Sequence, residues 1–156
     1  MIVAGHVAIG DPATIPLLDW SACANTRHRA SISRAYYAVF VDLKCRLKPL
    51  VEAEGGCFPV ARAHTLLIQA VGAGLRASGG TAWLTLPKRL QKLKTARERA
   101  DYRWDVAYAE PEAALRCREA AALLSDVDAF TAPQVQAIAK ELARISPNPK
   151  PGAPCK

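Results

Sequence analysis

SISRAYYAVFVDLKCRL, from Ser31 to Leu47, sets Ile32, Ala35, Tyr36, Val39, Phe40, Leu43 and Leu47 at offsets of three and four. On a helix this spacing lays an apolar stripe along one side, because side chains three and four apart share a face. The stretch is too long for a typical strand and shows no period-two alternation. It contains neither Gly nor Pro before Pro49, where the helix is expected to stop. Arg34 and the adjacent pair Tyr36-Tyr37 break an otherwise ordinary amphipathic pattern. Neighbouring side chains on a helix point about 100° apart. Tyr36 is in register with the stripe and is expected to be buried, whereas Tyr37 is expected to reach a groove or a neighbouring helix.

Upstream, Asn25 reads as the N-cap of this helix, and Arg27, His28 and Arg29 place positive charge in its first turn, where the helix dipole opposes it. Such charge belongs either to a solvated face or to a working group. Residues 1–24 form an N-terminal segment in which Gly5, Gly10 and Pro12 exclude a long helix; a short one is expected from Pro16 through Trp20 and Ala22.

Downstream, Gly55, Gly56 and Pro59 mark a loop before a helix over residues 60–77, with Val60, His64, Leu67, Ile68, Val71 and Leu75 as its stripe. Thr85 and Pro87 open the next helix, whose inner positions are Leu86, Leu90, Leu93, Arg97, Ala100 and Trp104. After a weak link at Asp105 to Glu110, Pro111 and Glu112 start an alanine-rich helix with Ala114, Cys117, Ala121, Leu124 and Phe130 inward and Leu123 and Val127 beside them. Thr131 and Pro133 begin a last helix carrying Val135, Ile138, Leu142 and Ile145. No segment has a convincing strand pattern. The expected class is all-α, with a bundle of four to five helices and a C-terminal helix over residues 25–146, followed by a Pro-rich basic tail over 147–156 expected to be disordered.

At 156 residues the chain is sized for one domain, and its 51% hydrophobic and 22% charged residues exclude a disordered protein. The formal net charge of +7 favours anionic partners, nucleic acid first. Five cysteines stand singly, without C-x-x-C or histidine at ligand spacing, so no metal or cofactor is expected and they read as reduced thiols. The amino terminus has no basic region ahead of its broken apolar run, so no secretory leader is expected. No apolar run approaches the length of a membrane span. Together these point to a cytoplasmic protein with no membrane partner.

Arg97 lies inside an apolar stripe, where a guanidinium must be paired or must line a pocket. Asp101, one turn on, is the nearest partner. The pair reads either as a lock on helix register or as the centre of a site, and is expected to face Arg34 or Tyr37 across a groove. His64, also on a stripe, reads first as a core or rim histidine satisfied by one hydrogen bond, and second as a catalytic group.

SRAYYAVF (33–40) and RERADY (97–102), separated by one helix and followed by an alanine-rich one, resemble the small prokaryotic HEPN family over about residues 25–130. That family carries a similar Ser-Arg-x-Tyr-Tyr-Ala helix and a later Arg-x-x-Ala-Asp-Tyr helix. The resemblance implies an up-and-down helical bundle, a homodimer, and a role in a toxin–antitoxin or defence system beside a nucleotidyltransferase antitoxin. Many such proteins are metal-independent ribonucleases using an Arg and a following His with four to six residues between them. Here the eligible positions after Arg97 hold Tyr102, Arg103 and Trp104. The usual acid–base pair is missing, which leaves RNA or nucleotide binding as the first reading. Arg34, Tyr37, Arg99 and Arg103 are its candidate binding residues. A ribonuclease with Arg97, Asp101 and Tyr102 in its site is the second, and a structural module that docks on another protein is the third.

Overall fold

The computed structural model describes residues 20–79 and 81–148, which hold five α-helices. These are α1 (Trp20–Ala53), α2 (Ala63–Ala77), α3 (Leu86–Tyr102), α4 (Glu110–Asp128) and α5 (Ala132–Ile145), with a 3₁₀ turn at Ala82–Leu84. Among the described residues no strand forms, and the one bridge joins Gly56 to Pro147. The chain is an all-α helical bundle. Residues 1–19, with most of the short helix expected from Pro16, lie outside the described residues, as do 149–156 of the expected tail; Pro147, expected within that tail, is held in the bridge to Gly56.

α1 is the hub and packs against α3, α4 and α5. Its stripe of Ile32, Ala35, Tyr36, Val39, Leu43 and Leu47 is buried, and Val51 extends it. Both expected ends of this helix are corrected. The chain is already helical at Trp20, so Asn25 is no N-cap and α1 crosses the boundary expected after residue 24. Pro49 lies inside the helix. Leu47 and Val51 flank it one turn apart and are both buried, so packing outweighs the single hydrogen bond that Pro49 removes. The helix ends instead at Ala53, just before Gly55, whose φ of 76° suits glycine, with the Gly56 N–H donating to the Val51 carbonyl at 2.9 Å.

α2 starts at Ala63 rather than Val60, which is 80% exposed, and buries Leu67, Val71 and Leu75 as expected. It crosses α5 at Gly74, where a Cβ would lie 2.5 Å from the Ile138 backbone nitrogen and Cα. α4 is turned one residue from the expected register: Ala113, Ala120, Leu123 and Val127 are buried, while Cys117 and Ala121 are exposed. A helix with alanine on every side offers little contrast, and burying Leu123 and Val127 gains more than burying alanines. Thr131 and Gln134 form a capping box at the start of α5, which buries Ile138 and Leu142. Cys45 and Cys117 are free thiols, but Cys57 is disulfide-bonded, which corrects the expectation of five reduced cysteines. Disulfides are rare in reducing compartments, so the cysteines no longer argue for one.

The link between α3 and α4 is gripped by α1. Asn25 Oδ1 accepts the Tyr108 N–H at 2.9 Å, and His28 Nδ1 donates to the Tyr108 carbonyl at 2.8 Å. Arg29, only 6% exposed, donates from one nitrogen to the carbonyls of Arg103 and Val106, both at 2.9 Å. A cation there sits at the C-terminus of α3, where the helix dipole favours it. The charged run expected in a first turn is therefore a clamp in the body of α1. Trp104, expected on the buried stripe of α3, is 81% exposed because the helix stops at Tyr102, and its ring lies 4.6 Å from the Arg29 guanidinium. Under this clamp, Ile32, Ala96, Ala100, Tyr108 and Ala113 form a second small core.

Candidate functional site

Three helices bring polar and aromatic groups to one place. α1 contributes Tyr36, Tyr37 and Phe40, α2 contributes His64, and α3 contributes Arg97, Asp101 and Tyr102. Tyr36 is 3% exposed and Tyr37 36% exposed, the order expected from the stripe. Adjacent on α1, they turn different faces of the same helix into core and groove.

Arg97 is the centre. Its side chain is 12% exposed, its Nε lies 2.7 Å from Asp101 Oδ2, and a terminal nitrogen donates to the Tyr37 hydroxyl. The Asp101 contact is an ion pair rather than an aligned hydrogen bond, since Nε finds no acceptor at a bonding angle. The guanidinium carbon is 4.9 Å from the Tyr37 ring centre and 5.4 Å from that of Tyr102, so two aromatic rings flank the charge. Burial works against the cation, but the neighbouring Tyr37, Asp101 and Tyr102 outweigh it and raise its pKa.

His64 joins from α2. Its Nδ1 is 2.7 Å from the Tyr36 hydroxyl, and its ring packs 4.1 Å from that of Phe40. Burial lowers its pKa, and Arg97 and Lys94 lower it further. Burial pushes the Tyr36 phenol well up, against the pull of Arg97. Both shifts keep the hydrogen-bonded pair neutral at pH 7. Because unfolding returns His64 towards its ordinary value of 6.5, the unfolded state takes up the proton first as pH falls. The contribution of His64 to stability is thus present above pH 6.5 and is lost as pH drops below it towards the folded value. His64→Gln is expected to shrink the loss of stability between pH 7.5 and pH 5 in urea titrations relative to the parent, and an unchanged loss would refute the assignment.

Of the seven residues singled out by sequence, the fold brings together Tyr37, Arg97, Asp101 and Tyr102. Arg34 is exposed on α1, one turn before Tyr37, and makes no hydrogen bond or ion pair among the described residues. Arg99 points to the other side of α3 and lines a separate cleft. Arg103 is engaged with Asp105 through Nε at 3.0 Å and a terminal nitrogen at 2.8 Å, and this fork holds the exposed Asp105 carboxyl down to about 2. His64 is the group that sequence reasoning set aside. Its signal was its place on the α2 stripe, but its neighbours come from α1 and α3. Among the described residues no cluster of histidine, cysteine and acid has the makings of a metal site, and no helix is long and apolar enough to cross a membrane. Comparison with protein-family models, with curated proteins and with solved structures finds no match to this chain.

Proposed function

We propose that the face built by Tyr37, Arg97, Asp101 and Tyr102 binds single-stranded RNA, and that the protein is the RNA-binding component of a cytoplasmic toxin–antitoxin or defence system. The observation that carries this reading is the Arg97 guanidinium fixed between two aromatic rings by Asp101. An arginine so held presents a phosphate with a positioned partner, and Tyr102, 66% exposed, offers a ring face on which a base can stack. Arg34 stands one turn from Tyr37 with its charge unengaged, as a backbone contact requires. The net charge of +7 supports the same ligand. On the family resemblance we extend the proposal to a homodimer with a nucleotidyltransferase antitoxin as partner; Val41 and Leu115, 48% and 41% exposed, are apolar groups such contacts would cover.

Fluorescence anisotropy with a labelled single-stranded RNA in EDTA tests it. Arg97→Ala and Tyr102→Ala are each expected to weaken binding about tenfold or more, with affinity falling as salt rises. Asp101 is 26% exposed in its side chain, so loss of its partner leaves it in touch with water, and Arg97→Ala is expected to cost only about 1 kcal/mol of stability. Binding that ignores both substitutions, or no binding at low salt, would leave the protein-docking module.

A ribonuclease reading has one specific observation in its favour, the neutral His64 imidazole 6.1 Å from the Tyr37 ring that Arg97 also touches. A proton acceptor and a cation beside a bound RNA are what attack by its own 2′-hydroxyl requires. Cleavage of tRNA or mRNA in EDTA that disappears in His64→Gln supports this; intact RNA after incubation with the parent protein leaves binding alone.

A further inference from the structure

On the side of α3 away from Arg97, α3 and α4 leave a cleft of about 420 Å³ lined by Lys88, Lys92, Arg99, Tyr108, Glu112 and Arg116. Sites for small molecules commonly have this size. The charges along it do not balance. Lys92 and Arg116 share Glu119 at 2.9 and 2.8 Å, and Glu112 lies 3.8 Å from Arg116. Lys88 and Arg99 have no ion pair among the described residues, so the cleft carries an excess of positive charge.

Two of its lining residues also carry a buried donor with no acceptor among the described residues: the Tyr108 hydroxyl and the Arg116 Nε–H. Tyr108 is 6% exposed, and burial, the largest influence, raises its pKa, so the hydroxyl keeps its proton. An unpaired buried donor is costly, and native proteins leave few without a use. This one is also held in place. Asn25 and His28 grip the Tyr108 backbone from both sides, and the Arg29 guanidinium lies 5.9 Å from its ring. The clamp on α1 thus fixes a hydroxyl that bonds to nothing among the described residues. Unpaired donors beside surplus cations call for a ligand rich in acceptor oxygens and carrying more than one negative charge. A phosphate monoester meets both demands, whereas a neutral metabolite carries no charge to set against the cations.

We propose that the α3–α4 cleft binds a small phosphate monoester, its phosphate accepting from the Tyr108 hydroxyl and the Arg116 Nε–H and balanced by Arg99 and Lys88. This site is separate from the RNA face and stands or falls apart from it. Titration calorimetry with adenosine 5′-monophosphate, inorganic phosphate and adenosine tests the proposal on the full chain. Saturable binding is expected for the two phosphates and not for adenosine. Tyr108→Phe keeps the ring and removes only the hydroxyl; it is expected to weaken phosphate binding about tenfold while the unliganded protein melts no lower than the parent. Arg99→Gln, on an exposed side chain, is expected to weaken binding similarly, and Arg97→Ala to leave it unchanged. Absence of phosphate binding in the parent, binding indifferent to Tyr108→Phe, or a lower melting point for unliganded Tyr108→Phe would each overturn the assignment. So would displacement of the nucleotide by a 5′-hydroxyl RNA whose own affinity falls in Tyr108→Phe, since that outcome gives the cleft to the RNA backbone.

Discussion

Gly74→Ala is expected to lower the unfolding free energy by about 3 kcal/mol. In a solvent-exposed helix the same change would stabilise by up to about 1 kcal/mol, because alanine loses less backbone entropy than glycine. Here the added Cβ would stand 2.5 Å from the backbone nitrogen and Cα of Ile138 and 2.8 Å from the carbonyl carbon of Ala137. Those are main-chain atoms inside a helix and cannot turn aside as a side chain can. α5 has to move off α2, and Ile138, with no exposed surface, loses contact with the core as it goes. Gly72→Ala is the control: its nearest neighbour would be a Pro87 ring carbon at 3.3 Å, so that change is expected to be close to neutral. Guanidinium unfolding reads the difference as a lower midpoint at unchanged slope. Equal midpoints for the two variants would show that α2 and α5 do not touch backbone to backbone.

Arg29→Ala is expected to cost about 3 kcal/mol and to loosen the link between α3 and α4. One guanidinium nitrogen serves two carbonyls, those of Arg103 and Val106, in a place from which Trp104 and Tyr108 shield water. Truncation takes the Arg29 donor from the Val106 carbonyl, leaves the Arg103 carbonyl only the Val106 N–H at 3.2 Å, and removes the cation from the C-terminus of α3. Removing a buried charge also recovers its desolvation, and the second terminal nitrogen, buried without a partner among the described residues, adds to that return. The two lost hydrogen bonds and the lost ring contacts are expected to outweigh it. Arg29→Lys keeps the charge but not the planar fork, so it is expected to recover less than half of the loss. Amide hydrogen exchange should rise first at the Tyr108 N–H, whose bond to Asn25 depends on the link keeping its shape. A stability change under about 1 kcal/mol with unchanged exchange would remove the clamp from the account.

Helical content was legible because its signals are local. The stripe from Ile32 to Leu47, the proline openings of α3, α4 and α5, and the Thr131–Gln134 box depend on spacing within one segment. The contact of Arg97 with Asp101 and Tyr37 was legible for a related reason: a charge on an apolar stripe has few places to go, and Asp101 lies one turn away. Where local signals are weak, packing decided. α4 has alanine on nearly every side, and its register follows Leu123 and Val127. Pro49 carries a strong local stop signal, yet Val51 beyond it gains enough by burial to keep the chain helical.

By itself the sequence determined an all-α chain, the inward face of α1 with Tyr36 buried and Tyr37 at its edge, and a polar centre at Arg97. Only the tertiary structure decided which groups meet that centre and which leave it. His64 reaches Tyr36 across 28 positions of chain, Arg29 reaches Arg103 across 74, and Asn25 reaches Tyr108 across 83. No periodicity within one helix carries such pairings. Arg97 and Arg99, two residues apart, open onto different sides of α3 because a helix turns about 100° per residue, so neighbours in sequence are parted between two sites. Distant residues are joined by the opposite effect: the bundle buries stripes against stripes, and whatever polar group interrupts a stripe is brought to the groups that interrupt its neighbours.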